Sequence, residues 1–216
     1  MITDVSVRFS DLTLGYRGKP ALTNINGCLQ RGSLTAVTGP NGSGKSTLLK
    51  GIVGILQPLS GYCSVAAGER TAWLPQIAEL DRHFPASVRD LVSLGLWPER
   101  GLLRRHRAQD RQRVAEALIT VGLDGFENRS LGELSGGQFQ RALFARVIVQ
   151  DASLILLDEP FNAVDSATTR DMLALIGAWH QQRRTVAVVV HDPDLVSRHF
   201  PQTLRLNGNH PAEVLS

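Results

Sequence analysis

The sequence predicts an α/β fold: a mostly parallel sheet with helices on its faces, a small antiparallel sheet ahead of it and a helical insertion within it. Three observations lead there. Apolar runs at Leu34–Thr38, Leu154–Leu157 and Val186–Val190 have the length and composition of buried strands, and a polar or glycine-rich turn and helical periodicity follow each one. Residues 77–133, by contrast, carry two amphipathic helical patterns. The first run leads directly into Gly39-Pro40-Asn41-Gly42-Ser43-Gly44-Lys45-Ser46-Thr47, which satisfies G-x-x-x-x-G-K-[ST] and opens a helical pattern from Thr47 to Ile55.

The 216 residues suit one large α/β domain, divided as 1–76 (antiparallel sheet and phosphate loop), 77–133 (helical insertion) and 134–216 (the returning α/β core). No apolar run approaches the roughly 20 residues that span a bilayer, and the start Met1-Ile2-Thr3-Asp4 lacks the pattern of a signal peptide, so a soluble, cytoplasmic chain is expected. Cys28 and Cys63 have no metal-ligand spacing and are expected to be reduced. The net charge of +3 rests almost wholly on arginine, since Lys19, Lys45 and Lys50 are the only lysines. Nucleic acid and an anionic membrane surface both suit that bias, and it does not choose between them.

Taken in order, Val5–Phe9, Leu12–Tyr16, Ala21–Gln30 and Leu34–Thr38 read as short strands separated by the turns Arg17-Gly18-Lys19-Pro20 and Gln30-Arg31-Gly32. Tyr16 ends one of them, where its ring either faces the base of a bound nucleotide or is a buried strand tyrosine. Gly61–Val65 and Thr71–Leu74 are further strands, the second ending at Pro75-Gln76. Within the insertion, Ser87–Leu96 places Val88, Leu91, Val92 and Leu94 on an apolar face, and Ala108–Val121 does the same with Val114, Leu118 and Val121. Between them Arg100, Arg104, Arg105, His106, Arg107, Arg111 and Arg113 form a basic cluster, read as a solvated helix start or as a docking surface for an acidic partner or lipid. The core then continues with helices at Gly136–Gln150, Thr168–Gln181 and Pro193–Phe200 and strands at Leu154–Leu157, Val186–Val190 and Thr203–Leu206.

The phosphate loop explains itself chemically. Its glycines let backbone N–H groups face inward at a helix N-terminus, Lys45 adds a charge at the β and γ phosphates, Ser46 offers a hydroxyl to Mg²⁺, and Thr47 supports the α-phosphate side. A glycine-rich turn that binds nothing is the bland alternative, and the flanking strand and helix argue against it. Leu154–Leu157 ends in Asp158-Glu159, which sets two carboxylates at the C-terminal edge of a parallel sheet, where ligands of such folds sit. Asp158 suits Mg²⁺ and Glu159 suits orienting or deprotonating a water, although an acidic helix start after a core strand looks the same. His191 emerges at the same edge after Val186–Val190. Leu134-Ser135-Gly136-Gly137-Gln138 is a second glycine-rich helix start and, taken alone, reads as a cap.

In order and spacing, Tyr16, the loop at 39–47, Gln76, LSGGQ at 134–138, LILLDEP at 154–160, Asp165 and His191 resemble an ATP-binding cassette ATPase, over essentially the whole chain. The resemblance implies ATP and Mg²⁺ as cofactors and a head-to-tail homodimer in which Ser135, Gly137 and Gln138 act on ATP held by the other copy. It also implies that Tyr16 stacks on adenine, that Gln76 touches Mg²⁺ or the lytic water, and that Asp165 lies in a loop crossing the dimer interface. Asn162-Ala163-Val164-Asp165 departs from the Ser-Ala-Leu-Asp of many members but keeps the aspartate. Trp73-Leu74-Pro75-Gln76, Phe84–Val92, Gly95-Leu96-Trp97 and Asp158-Glu159-Pro160-Phe161 are similar to the branch serving zinc and manganese importers. That branch implies an ATPase, peripheral on the cytoplasmic face of the inner membrane, that docks on an integral membrane permease supplied by an external solute-binding protein; no nucleic acid is expected. A small exporter subunit of the haem type and a soluble non-transport cassette are the other readings. The chain ends at Ser216, so no regulatory C-terminal domain is expected.

Overall fold

In the computed structural model, residues 4–82, 84–101, 107–162, 164–207 and 213–215 are described. They gather into two compact units: Met1–Trp73 with Ser153–Pro160 and Ile176–Ser216, and Leu74–Ala152 with Phe161–Leu175.

The first unit holds two sheets. Strands β1 (Val5–Tyr16), β2 (Lys19–Gln30) and β4 (Ser60–Val65) pair antiparallel in the order β2-β1-β4. The larger sheet, among the described residues, runs β5 (Thr71–Leu74), β6 (Leu154–Leu157), β7 (Thr185–Val189), β3 (Leu34–Thr38), β8 (Gln202–Arg205), β9 (Glu213–Leu215). β6 with β7, β7 with β3 and β3 with β8 pair parallel, and β9 pairs antiparallel with β8. Every residue of β6 and β7 is buried, as strands covered on both faces require. Helix α1 (Lys45–Val53) sends Leu48, Leu49 and Ile52 into one core with Val7, Phe9, Leu12 and Leu14 of β1 and with Val37, Leu156 and Val189 of the parallel sheet. Burial of that apolar surface is what holds the phosphate-loop helix in place.

The expected α/β class holds, with local differences. Val5–Phe9 and Leu12–Tyr16 are one strand, because the chain bulges at Asp11 (φ 44°) without losing its partner. The Asp11 N–H donates to Asn26 Oδ1 (2.9 Å) and Asn26 Nδ2 donates to Asp11 Oδ1 (3.0 Å), a cross-strand clasp that holds the bulge. The antiparallel sheet takes its third strand, β4, from beyond the phosphate loop.

The second unit is helical: α2 (Val88–Ser93), α3 (Trp97–Arg100), α4 (Ala108–Thr120), α5 (Gly136–Gln150) and the first residues of α6 (Ser166–Gln181). Ser87 opens α2 with a capping box, accepting from the Asp90 N–H while Asp90 accepts from the Ser87 N–H (2.9 Å). The single helix expected over Ser87–Leu96 gives way to a 3₁₀ turn at Leu94–Leu96. This turn buries Gly95 and Leu96 and leaves Leu94 exposed, against the expectation that Leu94 shares the apolar face. Val114, Leu118 and Val121 are buried as their spacing requires.

Two arginines of the basic cluster are taken into ion pairs within the helical unit. Arg100 pairs with Asp110 (2.7 Å), whose side chain is fully buried, and Arg113 pairs with Glu99 (2.8 Å) and donates to the Val149 carbonyl. Arg107 and Arg111 are exposed, while Arg104, Arg105 and His106 lie outside the described residues, as does Ala163. No helix among the described residues is long and apolar enough to cross a membrane.

A Cβ on Gly95 would lie 2.4 Å from the Arg146 carbonyl oxygen of α5. Gly95→Ala is therefore expected to force the Leu94–Leu96 turn and α5 apart and to destabilise the protein by about 1–3 kcal/mol, read as a lower urea midpoint with an unchanged m-value.

Candidate nucleotide-binding site

The loop Gly39–Gly44 joins β3 to α1, and its backbone is one that side chains oppose. Gly39, Gly42 and Gly44 have φ of 143°, 78° and 93°. A Cβ on Gly39 would lie 2.2 Å from the Leu206 carbonyl oxygen, so the loop packs directly against the chain leaving β8. At the N-terminus of α1, Gly44 provides no side-chain cap and the first turn holds no acidic residue. The positive end of the helix dipole thus meets no carboxylate of its own first turn and suits an external anion. Ser43 Oγ is buried with no hydrogen-bond partner among the described residues, and Lys45 Nζ folds back to donate to the Gly39 and Pro40 carbonyls (2.9 Å each). Burial lowers the Lys45 pKa, against the opposing pull of Glu159 and then Asp158. A buried cation, a buried hydroxyl and an uncapped helix converging on one loop are the chemistry that a polyphosphate satisfies. Ser46 is half-buried and Thr47 buried on the same turn.

Opposite the lysine stands the end of β6. Asp158 is buried at 1% exposure, and Glu159 adopts a left-handed backbone (φ 51°), rare for a non-glycine residue and a mark of strain at functional sites. Glu159 Oε1 lies 2.7 Å from His191 Nε2. The two meet because β6 and β7 are parallel and in register, so the chains leaving Leu157 and Val189 reach the same edge; β3 lies on the other side of β7, which adds the phosphate loop to that edge. Tyr16 closes β1 at 45% exposure, so it is not a buried strand tyrosine.

The helical unit carries the remaining sequence-predicted residues. Ser135 caps α5 in a capping box: the Gln138 N–H donates to Ser135 Oγ (3.2 Å) and the Ser135 N–H donates to Gln138 Oε1 (2.9 Å). Asp165 accepts from the Thr168 N–H (2.9 Å) and hydroxyl (2.8 Å), and these bonds hold its carboxyl below the usual range. Gly137 packs against this pair, since a Cβ there would sit 3.2 Å from Thr168 Oγ1 and 3.4 Å from the Asp165 carboxylate. Gln76 is half-buried, directly ahead of the 3₁₀ turn Ile77–Glu79. Two residues here escaped sequence reasoning. Thr168 holds Asp165, and Arg82 donates from Nη2 to the Leu134 carbonyl while its guanidinium carbon stands 5.1 Å from the Phe139 ring centroid. A helix-start Asp-x-x-Thr spacing signals the first; nothing local signals the second.

A polyphosphate cradle facing an acidic strand end at the edge of a parallel sheet is the arrangement of a phosphate-loop nucleotide hydrolase. Residues 22–162 match the ABC transporter family, and the chain belongs to it: it is an ATPase of that family, binding and hydrolysing ATP. It is 40% identical over 217 residues to the zinc transport system ATP-binding protein TroB of Treponema pallidum, covering 98% of this chain and 82% of the relative. To the manganese transport system ATP-binding protein MntB of Listeria monocytogenes it is 38% identical, over 91% of this chain and 84% of that one. Among solved structures, an ABC transporter described as metal-chelate type, in an inward-facing conformation, superposes with a TM-score of 0.86 at 32% identity, covering 98% of this chain and 83% of that one. A dimeric bacterial ABC transporter cassette gives 0.82 at 26% identity, covering 96% of both chains.

Gly39→Ala is expected to push the loop off Leu206 and misplace its N–H groups, lowering kcat/KM for ATP on the order of 10²-fold while the far-ultraviolet circular dichroism is kept.

Proposed function

We propose that the chain is the ATP-hydrolysing subunit of an importer for a divalent metal such as zinc or manganese. The observation that carries this reading is the similarity, through nearly the full chain, to ATP-binding proteins of zinc and manganese transport systems. The chain then acts as one cassette over residues 1–216, with 77–133 as its helical insertion, peripheral on the cytoplasmic face of the membrane.

In this reading Gly39, Pro40, Asn41, Gly42, Ser43 and Gly44 wrap the phosphates with Lys45, Ser46 and Thr47, and Tyr16 stacks on the adenine. Ser46, Asp158 and Gln76 would hold Mg²⁺, which would supply positive charge to offset that of the β and γ phosphates. Glu159 orients the attacking water and takes its proton, and His191, already in contact with that carboxylate, fixes it toward the γ-phosphate. Two copies close head to tail on ATP, each offering Ser135, Gly137 and Gln138 to the nucleotide held by the other, with Asp165 at the seam.

The permease partner has a suitable seat on the helical unit. Leu80, Phe84, Leu91, Leu94 and Phe139 line an apolar groove of about 310 Å³, with Phe84 at 61% and Leu94 at 47% exposure. Trp97, three residues beyond Leu94, is exposed at 46%. Aromatic side chains of this kind dominate interface energies, and the occupant we assign is a cytoplasmic helix of the integral membrane permease, which receives its metal from an external solute-binding protein.

The reading is tested by deleting the gene in a strain without a redundant importer. Growth under zinc or manganese chelation should fail and be restored by one of those metals, and Trp97→Ala should impair uptake more than basal ATPase activity. Unchanged cellular metal content in the deletion strain rejects metal import. For the hydrolytic assignment, Glu159→Gln is expected to lower turnover by about 10²-fold or more while still binding ATP, so that light scattering detects an ATP-dependent dimer. Normal turnover in that variant would give the base to another residue.

A further inference from the structure

The apolar groove and the Ser135 turn share one side chain. The groove is bounded on one side by the segment bearing Leu80, Asp81 and Phe84, and Phe139 of α5 lines it as well. Arg82 belongs to that segment but turns away from the groove's lining, its guanidinium over the Phe139 ring and its Nη2 donating to the Leu134 carbonyl. Leu134 immediately precedes Ser135, the cap of α5, and Phe139 lies one turn further along the same helix.

We infer that Arg82 is a positioning residue that ties the groove to the Ser135 turn, so that what fills the groove sets where that turn stands. This rests on the permease reading of the groove. A helix seated there presses on Phe139, over whose ring the Arg82 guanidinium stands, and on Phe84, two residues along from Arg82 in the same segment, and a displacement of either one moves the hydrogen bond at Leu134.

The guanidinium suits that task. Its planar fork stacks on the ring by one face while an edge N–H reaches the carbonyl, a geometry an ammonium group does not reproduce. Its third group, Nε, is buried without an acceptor among the described residues. Coupling of this kind is a difference between two states of the same contact, and both the groove and the Ser135 turn bias it.

The test uses the full chain in complex with its permease. Arg82→Met keeps the apolar stem and removes the donor and the cation; Arg82→Lys keeps the charge and removes the planar stack. For Arg82→Met we expect normal yield of the complex, turnover and KM for ATP of the isolated subunit within about twofold of wild type, and loss of permease stimulation of ATPase by about fivefold or more. Arg82→Lys should fall between. Hydrogen exchange at the amides of residues 135–139 should respond to permease binding in the wild type and not in Arg82→Met. Stimulation and exchange unchanged in Arg82→Met overturn the inference while leaving the groove reading intact. Equal losses in the isolated subunit and in the complex overturn it too, by reducing Arg82 to a structural role. Subunits carrying Phe84→Glu and Leu94→Glu that form the complex as well as the wild type does reject the groove, and Arg82 with it.

Discussion

The parallel pairing of β3 with β7, and of β7 with β6, is the constraint on which the site depends. In a parallel sheet all C-terminal ends point one way, so the phosphate loop after Thr38, the carboxylates after Leu157 and the imidazole after Val190 come to one edge without any of them touching in sequence. The register does the fine placement. Leu157 is level with Val188 and Val37 with Val189, which is why Glu159 and His191 stand at hydrogen-bond distance and both carboxylates act on Lys45. A slip of one residue in either ladder would turn alternate side chains to the other face and dismantle the site.

The groups gathered there do not favour folding. A lysine taken into a desolvated loop, an uncapped helix start, a buried aspartate and a glutamate in left-handed backbone each oppose the folded state. They persist because the elements bearing them are anchored elsewhere: α1 by Leu48, Leu49 and Ile52 between two sheets, β6 and β7 by complete burial. Polyphosphate binding offsets the cost of the lysine and of the uncapped helix start, and the folded protein is expected to gain stability from its ligand as mass action requires.

Much of this was legible in the sequence where the cause is local. The phosphate loop, the apolar run closed by Asp158-Glu159 and the Ser135 turn are written in adjacent residues, and the structure puts each at a strand end or helix start. What was not legible depends on distant partners. Asp11 reads as a strand break unless Asn26 is known to face it, and Gly95 reads as an ordinary helix residue unless the Arg146 carbonyl is known to press on it. Arg100 and Arg113 read as surface charge, yet Asp110 and Glu99 take them into ion pairs. For these two the charge is used in tertiary contacts that composition does not encode.

The neighbours of β3 have a consequence for how the protein is made. Leu34–Thr38 are synthesised long before the strands that flank them, Thr185–Val189 and Gln202–Arg205. At about 5–20 residues per second, the strand that carries the phosphate loop waits on the order of ten seconds at the ribosome for a partner. Its two apolar faces are unshielded during that interval, whereas β1 and β2, joined by a tight turn, close on each other at once. The nascent chain is therefore most prone to mispairing while the residues between Thr38 and Thr185 are being added, and the nucleotide cradle becomes competent only after Val189 has been made.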